Sequence, residues 1–228
     1  MILSRQKKPA IKTGNFEMSW LEAKTVNQKR VIDGYASGQN LIIHGLAGTG
    51  KTFLACHMAV TSVLKNEAEK VIIYRSAVPT RDMGFMPGTA AEKQEPYEAP
   101  YRYVFAEIMR RGDAYEVLKK HGHVEFSTSS YLRGLTVRDS IIVVDEAQSW
   151  TWHELDSIMT RVGDGTRIIV CGDHRQTDLV DGKSGFSRLL EVTSEMKEFS
   201  QVEMNRDDIV RSSFVKSYIL AKERRNLS

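Results

Sequence analysis

The stretch "LIIHGLAGTGKTFLA", residues 41–55, restricts the fold more than any other part of the chain. Three consecutive branched apolar residues, Leu41, Ile42 and Ile43, read as a strand covered on both faces. A glycine-rich turn follows, and then an apolar run over residues 52–64 with helical character. Between them stands G-x-x-x-x-G-K-T, from Gly45 through Gly50, Lys51 and Thr52, the pattern of a phosphate-cradling loop. Gly45, Gly48 and Gly50 permit backbone conformations closed to residues with a β-carbon, and they let amides approach a ligand closely. The loop backbone through Leu46, Ala47, Thr49 and Phe53 is then the expected nest for an anion, backed by the positive end of the helix. Lys51 is expected to reach the β- and γ-phosphates, and the Thr52 hydroxyl to ligate Mg2+. A plain bend built from glycine is the alternative, but a strand before the loop and a helix after it favour phosphate binding.

The strand signal recurs. Apolar runs at residues 71–74, 141–144 and 168–171, with a weaker one at Phe199–Met204, alternate with helical stretches. Continuous apolar strands separated by helices predict an α/β fold, doubly wound, with a mostly parallel central sheet flanked by helices. At 228 residues the chain is at the upper end of one domain. The expectation is one domain over residues 20–222, preceded by a basic arm (1–19) and followed by a short tail (223–228). The net charge of +3 permits nucleic-acid binding without requiring it. Cys56 and Cys171 sit in apolar runs, which predicts buried free thiols rather than a disulfide or metal site. No apolar run approaches the ~18 residues of a membrane span, so a cytoplasmic protein with no membrane partner is expected.

A second strand leads into chemistry. In "SIIVVDEAQSW", residues 140–150, four branched apolar residues end in Asp145 and Glu146. Two adjacent carboxylates at a strand end suit a Mg-nucleotide hydrolase: Asp145 for the metal, Glu146 to orient and deprotonate the attacking water. Alone, the pair is also what a solvated strand end looks like. The next stretch predicts a helix with a capping box, Thr151 and Glu154, and Leu155, Ile158, Met159 and Val162 on one face. The following strand ends in Gly172-Asp173, with Gln176 three residues on, where an amide could sense the γ-phosphate or the water.

One segment breaks the rhythm. Pro79, Pro87, Pro96 and Pro100 fall within residues 79–100, with Gly84 and Gly88 among them. That punctuation predicts an extended surface excursion, with a helix resuming only at residues 103–109. Tyr97, Tyr101, Tyr103, Phe105, Arg81 and Arg102 lie in or beside it. Aromatics interleaved with arginines can clamp single-stranded nucleic acid. A loop pinned to the core by the same aromatics is the other reading.

The order "GLAGTGKT", "GFMPGTAAEKQEPY", "VVDEAQ", "TRVGDGTRIIVCGDHRQTDL" and "DDIVRSSFV" resembles the PhoH-like (phosphate-starvation-inducible) ATPases over residues 20–222. That family is similar to the motor core of superfamily 1 helicases, and the resemblance implies a RecA-like fold and ATP hydrolysis. It also implies RNA-related roles. Leu46 departs from the family's more usual proline, and Ser149-Trp150 from a small polar pair. Gln28 occupies the place of a glutamine that reads adenine in the related helicases, although Thr25-x-x-Gln28 is equally a helix capping box. Those helicases carry two such domains, and only one fits in this chain. The expectation is therefore an arginine finger from a neighbouring subunit (Arg211, Arg161 or Arg133) and a cyclic homo-oligomer, a hexamer for example. The leading reading is an ATPase acting on single-stranded RNA or DNA. A small-molecule phosphotransferase and a nucleotide-gated binding module stay open beside it.

Overall fold

Leu41, Ile42 and Ile43 are all fully buried, and they lie in β1 (Asn40–Gly45). The other expected runs form β2 (Lys70–Arg75), β4 (Ser140–Asp145), β5 (Arg167–Gly172) and β6 (Phe199–Met204). The computed structural model describes residues 17–76, 90–128, 136–173 and 184–225. A sixth strand, β3 (Val124–Thr128), carries only one deeply buried apolar residue, Val124, and has no run of apolar residues to recognise. The strands form one sheet in the order β3-β2-β4-β5-β1-β6, and every pairing is parallel.

Because strand side chains alternate, each run feeds two cores. Leu41, Ile43, Val71, Ile73, Ile141 and Val143 pack on one face. That face is covered by α1 (Val26–Ala36), α2 (Lys51–Leu64), α3 (Ala90–Met109) and α4 (Ala114–Lys120). Ile42, Ile142, Val144, Ile168 and Val170 face the other way, onto Trp150, α5 (Trp152–Met159) and α6 (Phe186–Ser194). The last helix, α7 (Ser213–Arg224), has no buried residue. Cys56 and Cys171 are buried and unpaired, as their apolar settings predict.

Two local expectations need correction. The segment from residue 90 onward is no surface excursion, because α3 runs unbroken through Pro96 and Pro100. Both prolines are exposed, so they lie on the solvent side of the helix, where their lack of an N–H is least costly. The opposite side of α3 buries Tyr101, Phe105 and Ile108 completely, and that burial overrides the local cost. Tyr101 therefore has no face on which a base could stack, and Arg102 is bound to Glu95 and Glu116. Arg81, Pro79, Pro87, Gly84 and Gly88 lie outside the described residues. The second correction concerns Thr25 and Gln28. Thr25 caps α1 by accepting from the Gln28 N–H at 3.2 Å, but the Gln28 side chain does not return to Thr25. The capping box at Thr151 and Glu154 is complete.

Candidate active site

The loop after β1 is built by glycine at both motif positions and at one between them: φ is +108° at Gly45, +76° at Gly48 and +85° at Gly50. At Gly45 the requirement is double, since a β-carbon there would meet the Met204 carbonyl oxygen of β6 at 2.1 Å. Gly50 is the N-cap of α2, so the loop opens straight into the positive end of that helix. Thr49 is buried, its hydroxyl donating to the Leu46 carbonyl at 2.9 Å. The Lys51 ammonium lies 2.7 Å from the Gly45 carbonyl oxygen and 2.8 Å from that of Leu46. Leu46 itself is buried and gives its N–H to Met204 at 3.0 Å, so it shapes the loop from behind. Ala47 through Leu54 line a cavity of about 690 Å3.

The end of β4 faces this loop across β5. Asp145 is 3 % exposed, and both of its carboxylate oxygens are engaged. The Thr52 hydroxyl donates to Oδ1 at 3.0 Å and the Tyr101 hydroxyl to Oδ2 at 2.8 Å. The Trp150 indole N–H donates to the Asp145 carbonyl at 3.1 Å, fixing the backbone below it. Burial holds the Asp145 carboxyl above the usual carboxylate range, and the neighbouring Glu146 adds to this. Tyr101, Arg75 and Thr52 pull it back down. Arg75 ends β2 directly beside Asp145 in register, with its guanidinium 6.0 Å from the centre of the Tyr101 ring. The paired oxygens of Thr52 and Asp145 are hard donors that suit Mg2+. Among the described residues no group of three or more His, Cys, Asp or Glu could form an all-protein metal cage. Mg2+ is ordinarily held by one or two carboxylates together with substrate phosphates, so the donor set fits it.

Glu146 adopts the left-handed conformation, φ +53° and ψ +47°, which costs a non-glycine residue roughly 1 kcal/mol. Its carboxylate accepts from Gln148 Nε2 at 2.6 Å, while Gln148 Oε1 accepts the Asp173 N–H at 2.9 Å. Gln148 thus ties the end of β4 to the end of β5. Sequence reasoning misses this residue, although a signal is there: it is the last letter of "DEAQ". Asp145, Glu146, Gln148 and Asp173 line the same cavity as the loop. Gln176 and Arg133 lie outside the described residues.

Gln28 also lines the cavity, but its amide is spent on backbone: Nε2 donates to the Thr49 carbonyl at 3.1 Å and Oε1 accepts the Lys24 N–H at 2.8 Å. The segment before α1 forms part of the rim. Ser19 donates its N–H to Ile108 at 2.7 Å, and its carbonyl lies 2.8 Å from His57 Nε2. Trp20, 88 % exposed, and Tyr103, 79 % exposed, complete this side. Phe53 packs partly into the core beside His57. Arg211 reaches the rim from the far side. Val210 N–H donates to the Gly48 carbonyl at 3.1 Å, and a β-carbon on Gly48 would sit 3.0 Å from Arg211 Cγ. Arg211 therefore stands over the loop of its own chain. Arg161 does not line the cavity.

A parallel sheet with a glycine-rich loop after β1, and paired carboxylates after β4 at the same edge, defines a P-loop nucleoside-triphosphatase fold of RecA-like type. The solved structures agree on the fold: the large terminase of a thermophilic bacteriophage matches with a TM-score of 0.54 at 12 % identity, over 86 % of this chain and 50 % of that one. The family model described as "PhoH-like protein" matches residues 20–223, and the chain belongs to that family. A PhoH-like protein of Mycobacterium bovis is 34 % identical over 208 residues, covering 90 % of this chain and 58 % of the relative. One from Bacillus subtilis is 32 % identical, covering 94 % and 67 %, and Protein PhoH of Escherichia coli is 31 % identical, covering 92 % and 57 %. The chain thus spans rather more than half the length of these curated relatives. Among the described residues no helix is long and apolar enough to cross a membrane.

Proposed function

We propose that this chain binds Mg-ATP and hydrolyses it, coupling turnover to the binding or remodelling of single-stranded nucleic acid, RNA in preference to DNA. The observation that carries the reading is the chain of contacts Thr52–Asp145 and Glu146–Gln148–Asp173, which lines one cavity with the phosphate loop. Lys51 exchanges two neutral carbonyl partners for phosphate oxygens, a stronger charge-assisted interaction. Thr52 and Asp145 would hold Mg2+, which supplies charge neutralisation on the phosphate oxygens. Glu146, steered by Gln148, accepts the proton of the attacking water. Arg211, over its own loop, adds positive charge at the rim in cis. Gln28 supports the loop by donating to the Thr49 carbonyl, and ATP selectivity rests on the family likeness.

Two substitutions test the assignment. Glu146→Gln is expected to keep Mg-ATP binding and to lower turnover by about 10²- to 10⁴-fold, whereas Lys51→Ala is expected to lose productive nucleotide binding. Calorimetry and phosphate release measure the two. Turnover by Lys51→Ala near the wild-type rate would remove the phosphate-loop assignment. Stimulation of wild-type turnover by RNA oligonucleotides, compared with DNA, tests the coupling; equal rates with and without both would reduce the protein to a nucleotide hydrolase.

A further inference from the structure

The geometry points to Tyr101 as a positioning residue for the carboxylate that holds the metal. The inference rests on the proposed role of Asp145 as the Mg2+ ligand. Asp145 can turn about its side chain, and a ligand whose oxygen wanders loses affinity. Here the Tyr101 hydroxyl donates to Oδ2 at 2.8 Å, which leaves Oδ1 facing the Thr52 hydroxyl at 3.0 Å. The phenol is itself immobile. Its side chain is fully buried, its ring lies 5.6 Å from the Phe126 ring of β3, and the Arg75 guanidinium flanks it at 6.0 Å. Four residues further on, Phe105 is fully buried and packs edge-on to Tyr115 of α4 at 5.2 Å, so the helix turn bearing Tyr101 cannot slide. Phenylalanine would fill the same space, so packing alone gives no reason for the hydroxyl, whereas orienting Asp145 does.

Groups that hydrogen-bond a metal ligand from behind typically contribute about 10- to 100-fold to metal affinity. Tyr101→Phe is therefore expected to weaken Mn2+ binding to the ADP complex by about 10-fold, read as free Mn2+ by electron paramagnetic resonance. ADP binding in excess EDTA should match wild type. Tyr115→Phe is the control, because it removes another buried tyrosine hydrogen bond, to Glu98 at 2.7 Å, remote from the metal ligands. It should lower thermal stability and leave Mn2+ affinity unchanged. Unaltered Mn2+ affinity in Tyr101→Phe, or equal weakening in Tyr115→Phe, overturns the inference. Absence of Mn2+ binding by the wild-type ADP complex would instead overturn the metal site itself. Where Tyr101→Phe does not fold, the wild-type protein carries the test: the shielded Tyr101 hydroxyl proton should shift in the NMR spectrum when Mg2+ joins the ADP complex, and no shift overturns the proposal.

Discussion

Asp145 is the residue at which function and stability oppose each other. Its carboxylate is buried beside Glu146, and burial followed by that neighbour raises its proton affinity above the usual carboxylate range. Between the ordinary value and the raised one, the folded protein holds a proton that the unfolded chain has released, so stability falls as pH rises through that window. At neutral pH the buried charge is a net cost. Asp145→Asn keeps the shape, can still accept from Tyr101, and removes the charge. It is expected to abolish turnover and yet raise the thermal midpoint of the nucleotide-free protein, by about 2–4 °C for each kcal/mol released. The advantage should narrow as pH falls through the raised value. A midpoint below wild type at neutral pH would refute this account. The strained backbone of Glu146 fits the same pattern, a local cost retained where chemistry requires a direction.

Among the elements, the phosphate loop and α3 contrast in how readable they are. The loop needs glycine for reasons that act within a few residues, so motif spacing reveals it. Gly45→Ala makes the test: with φ at +108° and the Met204 carbonyl 2.1 Å from the new β-carbon, β6 must move. A destabilisation of more than about 1 kcal/mol is expected in urea titration, and a fully stable variant would contradict the geometry. In α3, local signals point the wrong way. Pro96 and Pro100 argue against a helix, and only the sheet surface that receives Tyr101 and Phe105 reverses the balance. Tyr101→Ala should accordingly cost about 3–5 kcal/mol of stability. Stable protein with impaired RNA binding would restore the stacking role that the aromatic spacing suggests.

For the whole molecule, we propose a cyclic assembly in which Arg161 or Arg133, with Arg211 acting in cis, serves the neighbouring subunit's site, and this leads to a concentration test. ATP turnover per subunit should rise as subunits associate, followed by sedimentation alongside phosphate release; a monodisperse and fully active monomer would end the idea. Because Arg211 lies over the loop of its own chain, mixing Arg211→Ala subunits with Glu146→Gln subunits should restore no activity. Recovery in the mixture would return Arg211 to the neighbouring site. On α7, Phe214 and Tyr218 are 78 % and 61 % exposed one turn apart, an apolar pair that none of the described residues covers.

The α/β class, five of the six strands, the glycine-rich loop and the carboxylate pair are legible in the order of residues alone. Each depends on interactions within a few residues: branched apolar runs, glycine at positive φ, a charge at a strand end. What meets those residues from far along the chain is set by packing. Tyr101 reaches Asp145 across 44 residues, and Thr52 reaches it across 93. Gln28 turns its amide onto the loop 21 residues away instead of closing a cap, and Arg211 comes back over Gly48. Such pairings follow from the strand order β3-β2-β4-β5-β1-β6, which brings distant strand ends to one edge, and no local pattern encodes that order.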